Sequence, residues 1–122
     1  MLKKYLFGVT ALFTSRVLAE TEEDKKNYEA WAEVMDHYKY SWEPSEVTTE
    51  DGYKLVTFQI TGKADEDPKV PTKPPIIINH GLFDDATSWL GVFRLTCPDC
   101  HPYILQLVDQ GYDVWMSNNR GT

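Results

Sequence analysis

The stretch "IIINHGLFDDATSW", residues 76–89, decides the reading of this chain. Ile76, Ile77 and Ile78 are β-branched, and three such residues in a row read as a buried strand over 76–79. The strand ends at His80-Gly81, where a glycine lets the backbone turn sharply. Most surface turns continue with polar residues. Here Leu82 and Phe83 follow, which is unusual for a turn that only reverses the chain.

Working outward, "HPYILQLVDQG" (101–111) carries a short helix. Ile104, Leu105, Leu107 and Val108 form its apolar face, Pro102 suits its first turn and Gly111 its C-terminal cap. "YDVWMSN" (112–118) is a second apolar strand. Strand, crossover and strand make a βαβ unit, whose strands are expected to be parallel with a right-handed connection. On the other side, "GKADEDPKVPTKPP" (62–75) is a polar, proline-rich surface connection. Before it, "EVTT" and "YKLVTFQI" flank Asp51-Gly52, a strong hairpin signal. Residues 22–40 place Tyr28, Trp31, Ala32, Met35 and Tyr38 on one stripe of a 3.6-residue period, so one helix is expected there, ended by Pro44. The fold class is α/β, with an antiparallel hairpin followed by a parallel βαβ unit. Strands 76–79 and 112–118 read as interior strands of a larger sheet, so both apolar runs are expected at open or poorly covered edges.

The N-terminus reads as a segment outside the fold. Lys3-Lys4 is a basic start, "YLFGVTALF" (5–13) a short apolar run, and "VLA" (17–19) a peptidase-type site. This is the pattern of a secretory signal peptide cut after Ala19, leaving a domain over 20–122. The apolar run is too short to span a bilayer. Removing 1–19 takes away Lys3, Lys4 and Arg16, leaving 9 basic against 19 acidic residues. A chain this acidic does not bind nucleic acid through general electrostatics.

Three motifs carry a family resemblance. "YSWEPSEVTTEDGYKL" (40–55), "INHGLFDDATSW" (78–89) and "GYDVWMSNNRGT" (111–122) together resemble the acid lipases, the lysosomal and gastric branch of the α/β-hydrolases. The resemblance covers roughly 37–122. It implies the N-terminal portion of a secreted or lysosomal serine hydrolase acting on triacylglycerols or steryl esters, with no cofactor. Ligands in open α/β sheets sit beyond the carboxyl ends of the strands. In α/β-hydrolases one oxyanion donor is a backbone N–H on the loop after the third strand. Carried over, that donor is the Leu82 N–H, with Leu82 and Phe83 lining an acyl pocket and His80 and Gly81 supporting the turn. His80 is not the catalytic base, because the family order runs serine, acid, histidine. The nucleophile pattern G-x-S-x-G does not occur in these residues. With no triad present, the chain by itself is expected to turn over no ester, and it reads as an N-terminal fragment. The rival reading is a small secreted protein that binds lipid or a partner.

Other sites compete for attention. "CPDCH" (97–101) fits a local Cys97–Cys100 disulfide, which an even pair in a secreted chain favours. Pairing elsewhere, a metal site and haem attachment are the alternatives, although Cys97, Cys100 and His101 fall one ligand short of a zinc set. Asp84 and Asp85 read as caps of a short helix that includes Ser88 and Trp89. Asn118, Asn119, Arg120 and Gly121 read as a rim loop with a supporting role.

Overall fold

The computed structural model describes residues 22–122. The expected signal segment 1–19 lies outside the described residues. Two helices come first, α1 (Glu22–Asn27) and α2 (Glu29–Tyr38), followed by strands β1 (Tyr40–Thr48), β2 (Lys54–Lys63) and β3 (Pro75–Asn79). Helices α3 (Ser88–Thr96) and α4 (Tyr103–Asp109) cross to strand β4 (Asp113–Ser117). The strands form one mixed sheet in the order β1-β2-β4-β3. β1 and β2 run antiparallel, as do β2 and β4, whereas β3 and β4 are parallel.

The register explains which residues are buried. Trp42 lies opposite Ile60, Ile60 opposite Val114, and Val114 opposite Ile76. The next row joins Pro44, Phe58, Met116 and Ile78. Directly opposed residues share a face, so these two rows make one apolar side. The row between them, Glu43, Gln59, Trp115 and Ile77, faces the other way. The apolar side joins Trp31, Ala32, Val34 and Met35 of α2, Leu90 of α3 and Ile104, Leu105, Leu107 and Val108 of α4 in one core. At its centre the Trp31 and Phe58 rings stack 4.6 Å apart, with Trp42 edge-on to both.

Several expectations are corrected. The helix over 22–40 is interrupted at Tyr28 (φ −124°, ψ 47°), whose ring packs edge-on against Phe58 and Trp42. Pro44 does not end it. Lys39 does, in the left-handed conformation (φ 62°), and β1 begins at the next residue. Pro44 sits inside β1, where an edge strand tolerates the missing N–H. Strand 76–79 is only half-buried: Ile76 and Ile78 pack against the core, while Ile77 faces the other way on an edge strand and is 67% exposed. Strand 112–118, by contrast, lies between β2 and β3 and has no open edge. Of α3 only the start was anticipated. Gly91 lowers helix propensity, and Val92, Phe93 and Leu95 remain exposed, so its period is blurred. Among the described residues no helix is long and apolar enough to cross a membrane.

Gly111 sets the entry to β4. It follows α4 at φ +93°, donating its N–H to Val108 O (2.9 Å) while the Tyr112 N–H reaches Leu107 O (3.1 Å). This pair of bonds is the Schellman closure of a helix. The Gly111 carbonyl in turn accepts from the Thr72 and Lys73 N–H groups, both at 3.0 Å, tying the proline-rich connection to the end of α4.

Candidate functional site

Because β3 and β4 are parallel, their carboxyl ends lie side by side. Asn79 and Ser117 are the last register pair, and the loops that begin at His80 and Asn118 leave the sheet together. Side-chain hydrogen bonds join the two loops. The Asn119 N–H donates to His80 Nε2 at 3.1 Å. With Nε2 accepting, the ring proton is assigned to Nδ1, which donates to the Gly81 carbonyl at 2.8 Å. The Ala86 N–H donates to Asn118 Oδ1 at 2.8 Å, and the Trp89 indole N–H to the Asn79 carbonyl at 3.1 Å. Ser117 Oγ donates to Asn79 Oδ1.

His80 and Gly81 therefore lie together in the turn after β3, tied to the loop after β4. Leu82 and Phe83 follow, with Phe83 at φ +61°. A bulky residue in the left-handed region is a genuine conformational outlier, and such positions cluster at functional turns. The Leu82 N–H makes no hydrogen bond among the described residues. The expected acyl pocket around these two side chains is not formed: Leu82 is 87% and Phe83 98% exposed. Both lie on the loop beyond the end of β3, and no element among the described residues packs over them. A cavity of about 300 Å³ lies where Asp85, Ala86, Asn118 and Asn119 meet Tyr28, Trp31 and Phe58, and a more apolar one, about 320 Å³, lies between Ile78, Trp89, Phe93, Pro102, Tyr103 and Ile104.

The acidic pair divides its roles. Asp85 Oδ1 accepts the Thr87 N–H (2.7 Å) and the Thr87 hydroxyl, and the Asp85 carbonyl accepts from Ser88 Oγ (2.9 Å). Asp85 thus shapes the turn into α3, and Asp84 makes no such bond. Arg120 reaches back to the β1–β2 hairpin. Its guanidinium forms two 2.6 Å hydrogen bonds to Asp51 and lies 5.0 Å from the centre of the Tyr53 ring. The Arg120 hydrogen bonds, supported by Thr49, hold the Asp51 carboxyl below its usual range.

At the far end of α3, Cys97 and Cys100 form a disulfide with Cα atoms 5.3 Å apart. Beside it, Asp109 Oδ2 meets His101 Nε2 at 2.8 Å while Asp109 Oδ1 accepts the Tyr40 hydroxyl at 2.8 Å. Burial, and then the Asp109 hydrogen bond and charge, push the Tyr40 hydroxyl well above the ordinary tyrosine range. Among the described residues no group of three or more His, Cys, Asp or Glu is arranged to hold a metal.

Four of these contacts have no local signal for their pairing in the sequence: Asn118 with Ala86, Arg120 with Asp51, Asp109 with Tyr40, and Asp109 with His101. The only advance signal was the run of side-chain donors and acceptors directly after the second strand.

The family described as "Partial alpha/beta-hydrolase lipase region" matches residues 31–92. The chain is 31% identical over 90 residues to the gastric triacylglycerol lipase of Rattus norvegicus, covering 74% of this chain and 22% of that protein. It is 34% identical over 106 residues to the tear acid lipase-like protein of Mesocricetus auratus, covering 86% and 25%. It is 36% identical over 90 residues to lipase member M of Mus musculus, covering 74% and 20%. The chain thus spans between a fifth and a quarter of the length of these relatives.

Proposed function

Because the chain belongs to the α/β-hydrolase lipase family, we propose that it is the N-terminal part of a secreted or lysosomal lipase, one that hydrolyses carboxylic esters of lipids. Triacylglycerols are the first substrate class, in line with the name of the rat relative. Steryl esters are the second, in line with the acid-lipase motifs. The observation that carries the reading is the turn after β3. It leaves the Leu82 N–H without an acceptor among the described residues, at the carboxyl end of a parallel strand, and the His80–Gly81 and His80–Asn119 bonds tie the turn down.

In this reading the Leu82 N–H donates to the oxygen of the tetrahedral intermediate as it becomes negative. A preorganised donor aimed at that charge contributes about 3–4 kcal/mol to the barrier reduction. His80 takes no part in proton transfer, since both ring nitrogens are already engaged in the turn. The serine nucleophile, the second donor, the acid and the catalytic histidine belong to the lipase length that these residues do not include. Residues 1–19 serve as the leader, and 20–122 as the first part of the lipase domain.

The test is a chimaera in which residues 20–122 replace the matching segment of the rat gastric lipase, assayed on a short-chain triacylglycerol. Leu82→Ala keeps the N–H and is expected to stay active. Leu82→Pro removes it and is expected to lower kcat by about 10²–10³. Equal activity of the two variants sinks the assignment. The chain alone is expected to match buffer on an activated ester and to take up no serine-directed phosphonate; stoichiometric labelling would overturn the reading that its nucleophile lies elsewhere.

A second reading is favoured by one observation, the apolar cavity of about 320 Å³. That volume lies at the lower end of the range for small-molecule sites. A lipid-binding protein would take up a fatty acid there stoichiometrically without turnover. Calorimetry of the isolated chain with a medium-chain fatty acid separates the two readings.

A further inference from the structure

We propose that Asp51 is a site of isoaspartate formation that the Arg120 guanidinium holds in check, so that the loop after β4 protects the hairpin turn to which it is bound. The residues lie apart from the Leu82 turn, and the inference is independent of the lipase reading.

Asp51-Gly52 is the sole Asp-Gly or Asn-Gly pair in the sequence. Such a pair is reactive in a free chain, because glycine has no Cβ to shield its amide nitrogen from the preceding carboxyl. Both residues are exposed at the tip of the β1–β2 hairpin, and nothing lies within 4 Å of a Cβ placed at Gly52. Packing therefore gives the pair no shelter.

Hydrogen bonds do. Arg120 donates from both terminal nitrogens, one to each Asp51 carboxylate oxygen, at 2.6 Å. Thr49 Oγ1 donates to Asp51 Oδ1 at 2.5 Å. The Gly52 N–H, whose proton the reaction must remove, donates to Thr49 O at 2.8 Å. The carboxyl and the nitrogen that would attack it are thus each tied to other partners. Thr49 is itself fixed, its N–H donating to Tyr53 O at 2.8 Å and its Oγ1 accepting the Tyr53 N–H at 2.9 Å. A two-point arginine contact restrains direction as well as adding charge. The same contacts hold the Asp51 carboxyl below its usual range, which keeps the neutral form that loses water scarce.

In the reaction the Gly52 nitrogen bonds to Asp51 Cγ. One carboxyl oxygen leaves as water, taking the carboxyl proton and the Gly52 amide proton, and a succinimide ring remains. Water then adds to one of the two ring carbonyls, and the C–N bond at that carbon breaks. Opening at Cγ restores aspartate. Opening at the main-chain carbonyl routes the backbone through Cγ and frees the α-carboxyl. One water is lost and one regained, with no oxidant, reductant or cofactor. The product carries an extra carbon in the backbone of the turn, so its carboxylate no longer stands where Arg120 meets it. The tie between the hairpin and the loop after β4 is lost with it.

The test incubates the full chain for weeks at neutral pH and body temperature. The tryptic peptide 40–54, in which Asp51 is the only aspartate, is then resolved by reversed-phase chromatography and electron-transfer fragmentation. Isoaspartate is expected to accumulate several-fold more slowly in the native chain than in the same chain in guanidinium chloride. Arg120→Ala is expected to raise the native rate about two- to fivefold, the range for loss of a well-formed exposed ion pair. Arg120→Lys keeps the charge without the two-point contact, and its rise is expected to be smaller. Lys69→Ala, which removes a cation paired with Glu66 rather than with Asp51, is expected to leave the rate unchanged. A native chain that isomerises as fast as the denatured one refutes the proposal without reference to any variant's fold. An unchanged rate in folded Arg120→Ala, an equal rise in Lys69→Ala, or no isoaspartate even in guanidinium chloride overturns it as well.

Discussion

Replacing Gly111 with alanine tests how the chain is steered into β4, the strand whose end carries half of the candidate site. Gly111 has φ +93°. An L-residue in left-handed backbone costs about 1–2 kcal/mol. An added Cβ would also lie 2.6 Å from Thr72 Oγ1, with Thr72 Cβ and N at 3.9 Å. The hydroxyl must swing away, and pushing a threonine off its rotamer adds about 0.5–1.5 kcal/mol. The sum is about 2–3 kcal/mol. For a domain of this size that corresponds to a fall in Tm of roughly 10–20 °C. Gly52 is the internal control. It also has positive φ (+85°), but nothing lies within 4 Å of a Cβ placed there, so Gly52→Ala should show the backbone cost alone, about 1–2 kcal/mol. Urea unfolding followed by fluorescence of the buried Trp31 and Trp42 reads all variants on one scale. In a Thr72→Ala background the Gly111→Ala penalty should shrink by about 1 kcal/mol, because the clashing hydroxyl is gone. An unchanged penalty there, or a Gly111→Ala effect no larger than that of Gly52→Ala, would refute the reasoning.

Asn118→Ala leaves the Ala86 N–H without its acceptor beside a buried residue, so stability should fall by about 1–3 kcal/mol with the urea slope unchanged; a neutral substitution would show that the two loops are not joined through this bond. Asp51 carries a lowered carboxyl pKa because of Arg120 and Thr49, so its stabilisation is present above the unfolded carboxylate range and is lost as pH falls through the folded value. The Tm difference between the unsubstituted chain and Asp51→Asn should therefore hold from pH 5 to 8 and close below about pH 4, and a gap that persists at pH 2 contradicts this. For Tyr40, raised by burial and Asp109, the sign is opposite: stability should decline as pH rises above the ordinary tyrosine range near 10, less so in Tyr40→Phe, as alkaline melts can read. Chain secreted from a eukaryotic host is expected to begin at Glu20 by N-terminal sequencing, and mature material retaining Met1 counts against the leader.

Local chemistry was legible from the residues alone. Asp51-Gly52 marks its hairpin and Gly111 its helix end because both answer to backbone torsions that few other residues adopt. The stripe of Trp31, Ala32 and Met35 states its own period, and the step from Ile78 to Gly81 marks a strand end wherever the strand is placed. What the tertiary structure decided was position in the sheet. Pro44 looks like a helix stop until β1 proves to be an edge, where a missing N–H goes unused. Ile77 looks buried until the register turns it to the face away from the core on an edge strand, and Leu82 and Phe83 look like pocket walls until their loop emerges where, among the described residues, nothing packs over it. The contacts that hold the site join residues far apart in the chain: His80 with Asn119 across 39 positions, Ala86 with Asn118 across 32, Asp51 with Arg120 across 69. No local pattern encodes such pairs. They arise because two parallel strands end side by side and the hairpin lies within reach, so the polar groups that leave the sheet together satisfy one another.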